Sequence, residues 1–207
     1  MGNGILASIF RMKLLELFSG TKSVSKAIGD NFDEIVSVDI LEKFNPSICL
    51  DVMKWNYKQY PVGYFNVIWA SPPCTEYSKI LYGRPERPRN LELANSIVKR
   101  TIEIINYFKP DKWFIENPET GLLKYQDLML DIPFYDVDYC MYSNFGYKKR
   151  TRIWTNIENF EPKLCNKNCG NMNGKRHKKS CGNSGYNIVS LNERYRIPEQ
   201  LIKDLFS

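Results

Sequence analysis

The chain has 207 residues, with 29 Lys plus Arg against 23 Asp plus Glu, a single His, a formal charge of +6 and an apolar fraction of 43%. That is one domain's worth of sequence with ordinary apolar and charged fractions, which excludes a disordered or fibrous protein. No stretch approaches the roughly 18 apolar residues of a membrane span, and the short apolar run at 5–10 meets Arg11 and Lys13 at once, so neither an anchor nor a signal peptide is expected and the chain reads as cytoplasmic with no membrane partner.

Taken in chain order, Lys13 to Phe18 is an apolar run that ends in Ser19-Gly20 and is followed by a helix-like stretch from Thr21 to Ile28. This predicts a strand, a tight turn and a helix. Residues 34–38, 65–70 and 113–115 are rich in β-branched and apolar side chains, as buried parallel strands are, and 47–50 is a weaker candidate. From Asn90 to Phe108 the positions Leu91, Ala94, Ile97, Val98, Ile102, Ile105 and Phe108 recur every three or four residues, which predicts one helix ended by Lys109-Pro110. Strands alternating with helices indicate an α/β fold with a mainly parallel sheet, whose ligand sites lie beyond the carboxyl ends of the strands.

Charge is unevenly placed. Between Phe145 and Cys181 ten basic residues face only Glu158 and Glu161, a net of +8, so the rest of the chain is −2. A basic segment on a near-neutral body is the footprint expected for a phosphate-rich partner; its plainer reading is a solvated basic loop. A second basic stretch, Lys79, Arg84, Arg87 and Arg89, is interleaved with Pro and Gly and is expected to be a loop.

The predicted strand ends carry chemistry. The first is followed by Leu17-Phe18-Ser19-Gly20-Thr21, the second by Asp39, the third by Asp51, the fourth by Ser71-Pro72-Pro73-Cys74 and the fifth by Glu116-Asn117. A glycine turn lets the backbone approach a nucleoside, and a carboxylate ending the next strand can accept ribose hydroxyls, although an isolated Asp there also serves as a helix cap. Two prolines stiffen the backbone ahead of Cys74, as for a presented nucleophile; a buried structural thiol is the alternative. Glu116 closes an apolar strand, a setting that lets a carboxyl hold a proton to donate.

In this order the motifs resemble those of the cytosine-5 DNA methyltransferases that use S-adenosylmethionine. Leu15-Glu-Leu-Phe-Ser-Gly20, Val36-Ser-Val-Asp39, Asp51-Val52, Pro72-Pro-Cys74, Ile115-Glu-Asn117 and Arg150-Thr-Arg152 cover about residues 13–154. The resemblance implies a class I, Rossmann-like methyltransferase fold with helices on both sheet faces. It implies cofactor binding by Leu17, Phe18, Ser19, Gly20, Thr21, Asp39, Ile40, Asp51, Val52 and Pro72, and catalysis by Cys74, Glu116, Asn117, Arg150 and Arg152. Cys74 would add at C6 of a flipped cytosine, Glu116 would hydrogen-bond N3, Asn117 would support the ring edge, and Arg152, with Arg150 second, would hold O2 and neighbouring phosphates, under a loop from Thr75 to Asn90 that also carries Arg84, Arg87 and Arg89.

The chain departs from the family's pattern at Lys22 and Ser23, where more glycine is usual, at Lys148, where Gln is usual, and at Pro118 after Glu-Asn. The largest departure is the region after the Arg-x-Arg strand, which has no room for a full recognition domain, as in compact viral or phage forms. The expected division is a catalytic and cofactor-binding unit at 1–154, a short basic insert at 155–192 and a C-terminal helix at 193–207. Within the insert, Cys165, Cys169, His177 and Cys181 lie in 17 residues, a spacing that permits zinc, with a flexible loop of free thiols as the other reading. Double-stranded DNA is the expected partner; RNA, or a non-catalytic nucleic-acid-binding role, are the alternatives. No oligomeric state follows from the sequence.

Overall fold

The strands gather into one seven-stranded sheet in the order β3-β2-β1-β4-β5-β7-β6, comprising β1 (Lys13–Leu17), β2 (Glu34–Asp39), β3 (Ile48–Cys49), β4 (Val67–Ala70), β5 (Lys112–Pro118), β6 (Phe134–Asp138) and β7 (Arg150–Thr155). This is a computed structural model that describes residues 11–182 and 186–207, so the apolar run at 5–10 lies outside the described residues. The pairings among β1 to β5 are parallel, and only β7 runs against its neighbours β5 and β6. Chain order reverses between β1 and β4, which opens a crevice at the carboxyl ends of these two strands.

Alternation along the strands builds two cores. Leu15, Leu17, Val36, Val38, Ile68, Ala70, Ile115 and Trp154 face one side, where helix α2 (Leu91–Phe108) covers them with Ala94, Val98, Ile105 and Phe108. Leu14, Val67, Trp69, Phe114 and Ile153 face the other, against Val24 and Ile28 of helix α1 (Ser23–Ile28) and Leu201, Ile202 and Leu205 near the C-terminus. Helices therefore cover both faces, as expected for this fold class. The predicted long helix is α2: the Asn90 side chain accepts from Leu93 N at 2.9 Å, and the left-handed backbone of Lys109 (φ 49°) closes it ahead of Pro110.

The C-terminal segment corrects the single helix expected at 193–207. It forms helix α3 (Leu191–Tyr195) and helix α4 (Glu199–Phe206), because Pro198 lacks an N–H and drives the residues before it out of the helical region, with Arg196 extended. Ser190 and Glu193 close α3 with a capping box, and Ile197 N donates to Ser23 Oγ at 3.1 Å, tying this segment to α1. Within the basic insert a small hairpin, β8 (Met172–Asn173) with β9 (Arg176–His177), turns through Gly174 at φ +59°. Among the described residues no helix is long and apolar enough to cross a membrane.

Candidate active site

The glycine turn after β1 meets Asp39, the acid that ends the neighbouring β2, beside the crevice between β1 and β4, while Asp51 follows β3 one strand further out. Phe18 (φ 55°), Gly20 (φ 45°) and Lys22 (φ 56°) carry the chain through left-handed conformations, and at Gly20 an added Cβ would meet only the Phe18 carbonyl, at 3.8 Å, so that backbone face is open. Gly20 N donates to Asp39 Oδ2 and Leu41 N to Asp39 Oδ1, both at 2.8 Å, which fixes the carboxylate while leaving lone pairs on each oxygen. Ser19 Oγ is buried without a hydrogen-bond partner among the described residues. Asp51 Oδ1 accepts from Met53 N at 2.9 Å. Val52 is buried while Ile40, Leu50 and Met53 beside the two acids are exposed, so the apolar surface there comes from Val52's neighbours. Thr21 Oγ1 contacts Ser23 Oγ at 2.9 Å, and Lys22, where glycine is usual, reaches back to the Asn45 carbonyl at 2.5 Å.

Cys74 stands on the next strand end. Pro72 is buried, its carbonyl accepts from Asn117 Nδ2 at 2.9 Å, and Tyr77 N closes the turn on the Cys74 carbonyl at 3.1 Å. Tyr77 is buried and its carbonyl receives Leu122 N at 2.9 Å, an approach that needs Gly121, where a Cβ would sit 3.1 Å from the Pro118 carbonyl. Burial pushes the Cys74 thiol up; the Lys149 ammonium opposes this and the Glu116 carboxylate adds to it. Glu116 is buried, and its Oε1 accepts from Tyr139 Oη at 2.9 Å and Lys149 Nζ at 3.4 Å, so both contacts fall on one oxygen. Burial also holds the Tyr139 hydroxyl protonated, as a donor. Asn117 Oδ1 is a second buried oxygen without a partner among the described residues.

Arg150 and Arg152 project from alternate positions of β7, each gripped by a carboxylate of β6. Arg150 donates through Nε and Nη2 to Asp138 (3.0 and 2.8 Å), and Arg152 in the same way to Asp136 (both 2.8 Å), with its guanidinium 3.5 Å from the centre of the Phe134 ring. Each keeps three of its five donors. The loop after Cys74 is held by Glu76, which accepts from Arg87 at 2.6 Å and Asn90 N at 2.8 Å, while Arg89 bonds the Ser78 carbonyl at 2.6 Å; Arg84 is exposed.

The chain is 38% identical over 216 aligned positions to the "Probable DNA (cytosine-5)-methyltransferase" of Frog virus 3, an alignment that spans 94% of this chain and 98% of that protein. The chain belongs to the DNA (cytosine-5)-methyltransferase family. No family model matches it. Its fold is shared with a methyltransferase encoded within an E. coli prophage (TM-score 0.52, 17% identity, 74% of this chain and 51% of that one) and with the Dnmt2 methyltransferase of S. pombe (TM-score 0.52, 13% identity, 74% and 53%). The chain spans about half the length of these two solved structures.

Two residues at the candidate site escape a reading by motif. Lys149 lies between two positions that the family's pattern marks, and only its contact with Glu116 separates it from the other lysines of the basic run. Tyr139 follows β6, whose two aspartates break the apolar signal of a buried strand. The ligand set expected in the insert also changes. The thiols of Cys140, Cys165 and Cys169 and the imidazole of His177 place their ligand atoms within 4.8 Å of one another, and Cys181 is not among them. Cys140 is 25 residues upstream of Cys165, so local spacing could not include it; the turn after β6 delivers it. Cys181 instead lies close enough to Cys74 and Lys149 to share their electrostatics.

Proposed function

We propose that this methyltransferase transfers the methyl group of S-adenosylmethionine to C5 of cytosine in DNA through a covalent adduct between Cys74 and C6. The observation that carries this reading is that Cys74, after β4, feels the charges of Glu116 in β5 and Lys149 just ahead of β7, while the Gly20–Asp39 cradle follows β1, the strand next to β4. The cradle fits the cofactor: the orphaned Ser19 hydroxyl, the open face of Gly20 and the free lone pairs of Asp39 suit a nucleoside bearing an amino acid. Ile40, Leu50 and Met53 offer an apolar shelf for its adenine, next to Asp51 and Val52, while Phe18 and Thr21 carry the turn and the buried Leu17 and Pro72 support it from beneath. When bound, it supplies an electrophilic methyl on a sulfonium.

C5 of cytosine is a poor nucleophile until C6 is saturated. The Cys74 thiolate adds at C6 while the Glu116 carboxyl, protonated on Oε2, gives its proton to N3, with Tyr139 and Lys149 fixing the other oxygen, so the negative charge that develops on the ring is neutralised there. Asn117 holds the Pro72 carbonyl and with it the Cys74 backbone, which leaves its unpartnered Oδ1 to support the ring edge. Arg152, and after it Arg150, use the donors that Asp136 and Asp138 leave free to hold O2 and flanking phosphates. After transfer, the C5 proton passes to solvent water as the Cys74 thiolate is expelled, and N3 returns its proton to Glu116, which restores the aromatic ring. The target must leave the stack for C6 to be reached, with the loop at 75–90 closing over it.

Transfer of labelled methyl to double-stranded DNA, single-stranded DNA and tRNA, with Cys74→Ala in parallel, tests the reading. The expected result is 5-methylcytosine in DNA, lost with Cys74→Ala while cofactor binding persists. Incorporation into tRNA alone would move the substrate to RNA. No incorporation by folded, cofactor-saturated protein would leave a binding protein on this fold.

A further inference from the structure

Four side chains that this chemistry does not use converge beneath the basic insert. Cys140 comes from the turn after β6, Cys165 and Cys169 from the start of the insert, and His177 from β9. Cys165 Sγ lies 3.6 Å from both Cys169 Sγ and His177 Nε2, and Cys169 Sγ lies 3.4 Å from the same nitrogen. Metal–sulfur bonds of about 2.3 Å and metal–nitrogen bonds of about 2.0–2.1 Å at tetrahedral angles set ligand atoms about 3.5–3.8 Å apart. A disulfide would instead bring two sulfurs to about 2.05 Å and leave the imidazole outside.

We propose that Cys140, Cys165, Cys169 and His177 bind one zinc ion, in a closed site that fastens the basic insert to the methyltransferase sheet. All four positions are filled by protein, which marks a structural metal rather than a catalytic one.

The surrounding polar groups already hold the ligand-bearing segments in place. Cys165 N donates to the buried Asp138 carboxylate at 2.7 Å, and the Cys165 carbonyl accepts from Lys148 Nζ at 3.2 Å, which gives the lysine that replaces the family's usual Gln a function. The buried Asn171 side chain bonds the carbonyls of Cys140 (2.8 Å) and Ser143 (2.7 Å) and accepts from Gly146 N (2.8 Å). A segment this polar buries little apolar surface, so metal binding supplies the free energy that orders it. His177 also lines a shallow cleft of about 390 Å³ with Lys148, Arg176, Lys179 and Cys181. The zinc therefore holds one wall of a basic surface, and its part in nucleic-acid binding rests on the DNA reading above; its presence does not.

Metal analysis of the full chain, purified under reducing conditions without chelator, should find about one zinc per chain, retained by Cys181→Ser and lost by Cys140→Ser. Cobalt substitution of the wild-type chain should give the visible bands of a tetrahedral thiolate site, a readout that stands even where Cys140→Ser does not fold. Absence of zinc together with absence of that spectrum would overturn the proposal. So would zinc lost from Cys181→Ser and kept by Cys140→Ser. Removing zinc with a chelator should weaken binding to a DNA duplex about tenfold or more. Unchanged DNA affinity after zinc loss would keep the site and overturn its part in DNA binding.

Discussion

Lys149 sets the charge balance at the candidate nucleophile. Cys74 is pushed up by burial and by Glu116, and Lys149 is the main influence in the other direction. Replacing it with Gln removes that opposition, so the thiolate forms only at higher pH. The rate of Cys74 alkylation by iodoacetamide, followed against pH in the cofactor-free protein by mass spectrometry of the Cys74 peptide, should move to higher pH in Lys149→Gln and stay near wild type in Lys149→Arg, which keeps the cation. A profile that does not move would remove Lys149 from the electrostatics of the site. Cys74, Asp39, Glu116 and the glycine turn stand out in the sequence because each goes with a strand whose apolar run is plain, whereas Asp51 follows a strand of only two residues. Lys149 and Tyr139 are not, because their meaning is a contact made across the sheet, between β5 and the strand pair β6–β7, and no local pattern encodes it.

At the scale of an element, α1 shows how the cofactor turn is braced. Its first residue follows a left-handed Lys22 that provides no cap, and the helix is six residues long. The buried Glu16 of β1 caps it from below, accepting from Val24 N at 3.2 Å, Ser25 N at 3.3 Å and the Ser25 hydroxyl. Burial nevertheless outweighs these bonds and raises the Glu16 carboxyl above its ordinary 4.5. With the folded value above the unfolded one, the folded state binds more protons between them, so this group's contribution to stability is full below pH 4.5 and declines as pH rises toward the folded value. Glu16→Gln cannot ionise. The unfolding free energy of wild type minus that of Glu16→Gln, from urea titrations between about pH 4 and pH 7, should fall as pH rises. A rising difference would mean that the helix end stabilises the ionised carboxylate more than burial penalises it. The strands at 13–18, 34–38, 65–70 and 113–115 and the helix at 90–108 are readable from periodicity, with ends shifted by a few residues. The aspartates in β6 pair with Arg150 and Arg152, and one of them, Asp138, is fully buried, so charge stands where an apolar residue would signal a strand, and β8 and β9 are too short to carry a period.

For the whole molecule, the decisive asymmetry is that a near-neutral sheet domain carries its excess positive charge in one segment. Several of those charges are committed within the fold: Arg150 and Lys148 to Asp138, Arg152 to Asp136, Lys163 to Asp204 and Lys179 to Glu193. Lys167, Lys175 and Arg176 remain exposed on the insert, and Arg176 lies 5.8 Å from the Tyr186 ring. If these three bind phosphates in place of a recognition domain, affinity should be weakly dependent on sequence and strongly dependent on salt. Changing all three to Gln should weaken binding to unrelated duplexes by similar factors. The slope of log affinity against log salt should become shallower by about 0.9 for each duplex phosphate no longer neutralised, or about 0.7 on single strands, so paired titrations also report which form of DNA lies along the insert. An unchanged slope would place these charges off the nucleic-acid path and shift phosphate binding to the loop beside Cys74, where Arg84 is exposed while Arg87 and Arg89 are held by the loop's own groups.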